Sequence, residues 1–276
     1  APGGPAGGGV EQGGGGQAVL EFEEEFIDVH ARLDLLADRA VDERIGEQDL
    51  ALAAADHERP GQHFGQCGEV RHRVRTSLGD SGAGLAPLVD ALDLPADLPV
   101  RHLLPDAPER PITINMGYKM RGWYDIKSFE DPADRAVESH VRESADRIAA
   151  LLDQLVAEGF APEHIVLAGF SQGGVIASFT ALRYQAKLAG LLCMSTYLAA
   201  PDALLAEMSE AARSLPICYM HGIYDDVVSL SMGWDANNRL EAAGLSLEWH
   251  EYPMRHEICR PQLADIRHWL LARLGA

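Results

Sequence analysis

The sequence has no CxxC pair, little basic charge and no long apolar run. Its four cysteines, Cys67, Cys193, Cys218 and Cys259, are widely separated, so neither a disulfide framework nor a cysteine-rich metal site is expected. Three of them lie in or beside apolar segments, which fits reduced thiols in a cytoplasmic protein. Lys and Arg number 23 against 42 Asp and Glu, for a formal charge of −19. Such a chain repels phosphate backbones and anionic membrane surfaces, so nucleic acid is not an expected partner. No stretch approaches the roughly 18 consecutive apolar residues of a membrane span. Nor does a basic segment followed by an apolar core open the chain, so export is not expected.

What is present divides at about residue 77. The opening "APGGPAGGGVEQGGGGQ" is Gly-rich and of low complexity, with a backbone entropy too costly to order on its own. Residues 1–77 are therefore expected to be a disordered or atypical extension, with a solvated helix around Phe26, Ile27, Leu33, Leu36 and Val41. From Leu78 to Ala276 short apolar runs alternate with amphipathic segments, the pattern of a mostly parallel sheet with helices on both faces. The expected strands are Val100–Leu104, Ile165–Phe170, Gly190–Ser195, Ile217–His221 and Leu245–Tyr252. Asp131 and Pro132 read as the cap and first residue of a helix that carries Val137, Val141, Ile148, Leu152 and Leu155 at helical spacing and closes at Gly159. Further helices are expected at 172–184, about 232–243 and 261–274. With 47% hydrophobic residues in 276, the chain has ample material for a core.

Within this pattern, "VLAGFSQGGVIAS" sets Ser171 between Gly169 and Gly173, after a strand-like run and before a helix-like one. That strand, turn and helix context is what a G-x-S-x-G nucleophile elbow requires, because side chains on the flanking glycines would clash with the tight backbone. A serine hydroxyl needs a base oriented by a carboxylate, and in this class the order along the chain is Ser, acid, His. Asp225 and Asp226 lie just past one expected strand, and His256 just past another, where the loops of an open α/β sheet gather around a ligand. His250 competes from within its strand, and His221 reads as structural. An upstream "GDSGAG" looks like the nucleophile segment of chymotrypsin-type proteases, but those are paired β-barrels whose His and Asp precede the serine.

With these residues identified, the chain from Leu78 onward resembles the phospholipase/carboxylesterase family of α/β-hydrolases, the group of bacterial carboxylesterases and acyl-protein thioesterases. The blocks that carry the resemblance are "LGDSGAG", "LPDAPERPITINMGYKMRGWYDI", "IVLAGFSQGGVIA", "YMHGIYDDVV" and "HEYPMRHEIC", in the family's order. The resemblance implies an α/β-hydrolase fold with Ser171 as nucleophile, Asp225 as acid and His256 as base. It implies an oxyanion hole formed by the N–H groups of Gln172 and Leu78, and an acyl pocket walled by Trp123 and Tyr124. Simple core packing is the competing reading for those two aromatics. No metal or cofactor is called for. The expected partner is a small-molecule ester, and a homodimer remains open.

The chain departs from the family just before Leu78. It reads "TSLGD" where the family has His-Gly-Leu-Gly-Asp, and Arg71, His72, Arg73 and Arg75 occupy what should be an apolar central strand. The expectation is that N-terminal strands are missing. Either an atypical region replaces them or residues 1–77 are read in a different frame. The expected activity is hydrolysis of short- to medium-chain carboxylic esters through an acyl-enzyme. Acyl-protein thioesterase activity is the nearest alternative, and a weakly catalytic binding protein with a damaged oxyanion segment is another.

Overall fold

The structure is a computed structural model that describes residues 73–78, 82–129 and 134–274. Residues 1–72 of the extension expected over 1–77, with its helix and the choice between an atypical region and a shifted frame there, lie outside the described residues. Asp131 and Pro132 lie outside them as well.

Among the described residues a six-stranded parallel sheet runs in the order β2-β1-β5-β6-β7-β8. The strands are β1 (Arg73–Leu78), β2 (Val100–Leu103), β5 (Ile165–Phe170), β6 (Gly190–Met194), β7 (Ile217–Gly222) and β8 (Leu247–Tyr252). A separate antiparallel hairpin pairs β3 (Glu109–Ile112) with β4 (Tyr118–Arg121). The helices are α1 (Gly82–Ala91), α2 (Glu138–Ala157), α3 (Gln172–Ala181), α4 (Pro201–Ala206), α5 (Leu230–Ala242) and α6 (Arg260–Leu274).

Strand periodicity sorts the core into two layers, since alternate side chains of a strand point to opposite faces. On β5, Ile165 and Leu167 join Leu191, Cys193, Ile217 and Tyr219 under α2, α3 and α5, where Val141, Ile148, Leu152, Val175 and Leu240 are buried. Val166 and Ala168 point the other way, with Leu192, Met194, Cys218 and Met220, onto Ile266, Trp269 and Leu270 of α6. A sheet covered on both faces explains why β5, β6 and β7 read as continuous apolar runs. In α3, Gly173 through Ala181 are all buried, so the helix that follows the elbow is enclosed by protein. No helix among the described residues is long and apolar enough to cross a membrane. Among the described residues Cys193, Cys218 and Cys259 form no disulfide.

Two readings are corrected. The basic segment expected to be unfit for a central strand forms β1, which pairs in parallel with both neighbours, Val74 to Leu78 against Ile165 to Gly169 and Arg73 to Thr76 against Val100 to Leu103. The backbone ladder supplies the pairing, and β1 is second from the β2 edge, where β2 itself is only partly buried. The long helix starts at Glu138, after an extended Val137, so Val137 stands before the helix instead of within it. The backbone before it is already engaged: Ile126 and Ala136 form an antiparallel bridge, the Lys127 N–H donates to the Arg135 carbonyl and the Val137 N–H to the Asp125 carbonyl. The hairpin, α1 and α4 carry no strong period and were not anticipated.

Gly190 shows how closely α6 is seated on the sheet. A Cβ there would lie 2.5 Å from the Trp269 ring. Because a buried indole cannot retreat cheaply, Gly190→Ala is expected to destabilise by about 1–3 kcal/mol. In urea unfolding this should lower the midpoint without changing the slope. An unchanged midpoint would show that α6 yields freely.

Candidate active site

The elbow is built by backbone crowding. Ser171 has φ 51° and ψ −121°, a conformation that an L-residue adopts only when its surroundings impose it, at a cost of about 1–3 kcal/mol. The Ser171 N–H donates to the Met194 carbonyl at 2.9 Å. Its carbonyl accepts from Thr196 Oγ1 at 2.8 Å and from the Gly174 N–H at 3.0 Å. A methyl on Gly169 would run into the Gly173 carbonyl, and one on Gly174 would lie 2.6 Å from the Thr196 side chain. Ser171 occupies the cap position of α3, yet its side chain makes no capping hydrogen bond. Its presence at that helix start is therefore not explained by capping.

The partners expected from sequence converge here from separate strand ends. Asp225, three residues past β7, is buried at 7% exposure. Its Oδ1 accepts from the Val227 and Val228 N–H groups at 3.0 and 2.8 Å, and its Oδ2 lies 2.8 Å from His256 Nδ1. The His256 ring packs on Phe170, the residue before Ser171, with centroids 4.7 Å apart. If His256 Nδ1–H donates to the carboxylate, its buried Nε2, which makes no hydrogen bond among the described residues, is left with the lone pair.

Asp226 and His250 are engaged elsewhere, whereas His221 lies beside the acid, its Nε2 3.7 Å from Asp225 Oδ2. Asp226 is exposed and pairs with Arg255 at 3.0 Å, and His250 stacks on Tyr252 within β8. His221 is fully buried. Its Nε2–H donates to the Val228 carbonyl at 2.8 Å, and Gly233 of α5 clears space beside Nδ1, where a Cβ would come within 2.6 Å.

Leu78 closes β1 in register with Gly169, which brings its backbone beside the strand that leads into the elbow. Gln172 opens α3. Its side chain accepts from the Trp123 N–H at 2.9 Å and donates to the Tyr124 carbonyl at 3.3 Å. Trp123 and Tyr124 are themselves 2% and 1% exposed within the main core, and the Tyr124 hydroxyl meets that of Tyr197 at 3.1 Å.

The sequence model of the phospholipase/carboxylesterase family matches residues 77–273. The chain belongs to that family. It is 32% identical over 199 residues to carboxylesterase SOBER1 of Arabidopsis thaliana, covering 71% of this chain and 87% of that one. It is 34% identical over 205 residues to acyl-protein thioesterase 1 of Neurospora crassa, covering 71% and 84%. The crystal structure of Arabidopsis SOBER1 superposes with a TM-score of 0.70 at 30% identity, covering 74% of this chain and 99% of that one. The α/β-hydrolase fold expected from the sequence is therefore the fold of the chain.

Within this family member, sequence reasoning missed Gly174, Thr196, the Gln172 side chain and the Val227 and Val228 amides. Thr196 could have been found, because a small polar residue just past a central strand end stands where ligand loops gather in open α/β sheets. Away from the elbow, donor atoms of Cys218, Glu248 and His250 lie within 4.8 Å of one another. Glu248 is already paired with Arg273 at 3.0 Å, and burial pushes the Cys218 thiol well up. The chain supplies its own cation there.

Two buried groups tie stability to pH. Burial holds the His221 imidazole below its ordinary value, and the Val228 carbonyl and Asp225 offset this only in part. Burial opposes ionisation of Asp225, but the hydrogen bond and charge of His256, the Val228 N–H and His221 together leave its carboxyl below the ordinary value. A group whose pKa is depressed on folding adds stability that is complete above its unfolded pKa and is lost as pH falls through the folded value. The loss should begin below about pH 6.5 for His221 and below about pH 4 for Asp225. The melting temperature is thus expected to fall between pH 7 and 5, and His221→Gln, which keeps a donor for Val228, should flatten that part of the curve. An unflattened curve in the variant would remove His221 as the source.

Proposed function

We propose that the protein is a serine hydrolase that cleaves carboxylic esters of short to medium acyl chains through an acyl-enzyme. The observation that carries this reading is the 2.8 Å contact between Asp225 and His256, packed beside an elbow whose serine is not used as a helix cap. The relatives named as carboxylesterases and thioesterases support the same reaction class.

In the first half-reaction His256 Nε2 takes the Ser171 proton as Oγ attacks the ester carbonyl carbon. Asp225 holds the imidazole in the tautomer that leaves Nε2 free and stabilises the imidazolium. The tetrahedral oxyanion is held by the N–H of Gln172, at the start of α3, and by that of Leu78, at the end of β1. Collapse breaks the bond to the alcohol, which leaves with the proton from His256. In the second half-reaction His256 deprotonates water, which attacks the acyl carbonyl carbon; collapse breaks the bond to Ser171 Oγ, His256 returns the proton to that oxygen, and the acid leaves. The Trp123–Tyr124 segment, clamped by the Gln172 side chain, is read as the wall of the acyl pocket, and the catalytic domain as the chain from about residue 78 onward. A thioester follows the same path with a thiol as leaving group. The relatives named as acyl-protein thioesterases favour keeping that second reading, and parallel assays on an oxygen ester and a thioester of equal acyl length decide between the two.

With a chromogenic short-chain ester, Ser171→Ala and His256→Ala are each expected to lower kcat by more than about 1,000-fold, while His250→Ala stays within a few-fold. Asp225→Asn should cost far more than Asp226→Asn. Equal losses at the two aspartates, or a larger loss at His250 than at His256, would overturn the assignment.

A further inference from the structure

A buried cation lies on the far side of the loop that carries Asp225. Arg135 is 3% exposed, and its backbone is fixed by the antiparallel pairing of residues 125–127 with 135–137. From that anchor its Nη2–H donates to the Val227 carbonyl at 2.8 Å. The guanidinium packs over Phe129 and Tyr197, at 4.6 and 5.3 Å from their ring centroids.

The carbonyl that receives this bond belongs to the peptide unit between Val227 and Val228. The N–H of that same unit donates to Asp225 Oδ1 at 2.8 Å. A guanidinium therefore acts on one end of a peptide and the carboxylate on the other. A charged donor on the carbonyl polarises the peptide and strengthens its N–H as a donor, more so at low dielectric. It also fixes the plane of the peptide, and so the orientation of the carboxylate toward His256. On its other side Arg135 touches Tyr197, whose hydroxyl meets that of Tyr124, and the Tyr124 carbonyl accepts from the Gln172 side chain. The acid loop and the elbow are thus tied through one chain of contacts.

We propose that Arg135 is a positioning residue for the hydrolytic reaction, acting through the Val227–Val228 peptide to set the Asp225–His256 hydrogen bond. This rests on the reading of Asp225 and His256 as acid and base. Misplacing a catalytic pair by a fraction of an ångström to one ångström costs about 10- to 100-fold in turnover, and such a change acts on the chemical step rather than on substrate capture.

The test compares the full chain with its Arg135→Met and Arg135→Lys variants. Turnover is measured on a chromogenic short-chain ester, the folded fraction by near-ultraviolet circular dichroism, and the hydrogen-bonded His256 Nδ1 proton by its downfield NMR resonance. Folded Arg135→Met is expected to lose about 10- to 100-fold in kcat with KM within about twofold, and to shift the downfield proton upfield. Arg135→Lys, which keeps a charged donor, should recover part of both. If Arg135→Met does not fold, Arg135→Lys carries the test, with a smaller loss of kcat and a smaller upfield shift. Wild-type kcat with an unmoved proton in either folded variant, or a loss that only follows the folded fraction, overturns the proposal. Failure of the underlying reading looks different: Ser171→Ala would then retain turnover in the same assay, whereas the proton shift would still report whether Arg135 acts on Asp225.

Discussion

The positive φ of Ser171 is the constraint on which the site depends. A serine with φ 51° and ψ −121° is higher in energy by about 1–3 kcal/mol than one in an ordinary conformation, and the neighbouring chain holds it there. The Met194 carbonyl and the Thr196 hydroxyl grip its backbone from the end of β6. Gly169 and Gly174 leave room for the crossing of strand and helix that a side chain would block. The enclosed helix α3 follows directly, so the backbone geometry at this one residue is set by at least three elements.

A parallel sheet turns that local strain into a shared site. Its strands all end on the same side, so the residues that follow β5, β6, β7 and β8 meet there whatever their separation in sequence. Asp225 and His256 come from the ends of β7 and β8, 31 positions apart. Each is held independently of the other: Asp225 by two backbone amides, His256 by packing on Phe170. The buried Arg135 contact on the Val227 carbonyl and the Gln172 clamp on Trp123 and Tyr124 couple these loops to each other. Under the proposed mechanism, pre-organisation of this kind lowers the cost of bringing the reacting groups together.

Much of this was legible in the sequence because the signals were local. The apolar runs at 165–170, 190–194 and 217–222 mark strands buried on both faces, and the glycines about Ser171 mark a crowded turn. The choice of Asp225 over Asp226 was open until the family blocks were considered, since adjacent carboxylates in one loop share the same local pattern. Geometry separates them by burial and by partner: one faces His256, the other an exposed Arg255. β1 was illegible because its pairing is carried by the backbone ladder near a sheet edge, to which side-chain polarity is a poor guide. The start of α2 was misread because the Asp131–Pro132 signal stands beside a segment whose N–H and C=O groups are consumed by pairing with residues 125–127. Arg135 acts on a peptide group 92 positions away in sequence, and no spacing rule reports such a contact, whereas the place of Thr196 just past a strand end was a readable signal.

The central claim is that Ser171 is a nucleophile activated by His256. It is tested most directly by treating the protein with an alkyl fluorophosphonate and locating the adduct by peptide mass spectrometry. The account predicts one phosphonyl group per chain, confined to the peptide that contains Ser171, formed rapidly by the wild type and at a rate reduced by orders of magnitude in His256→Ala. An adduct on another serine, or ester turnover that persists in a chain fully labelled at Ser171, would contradict it.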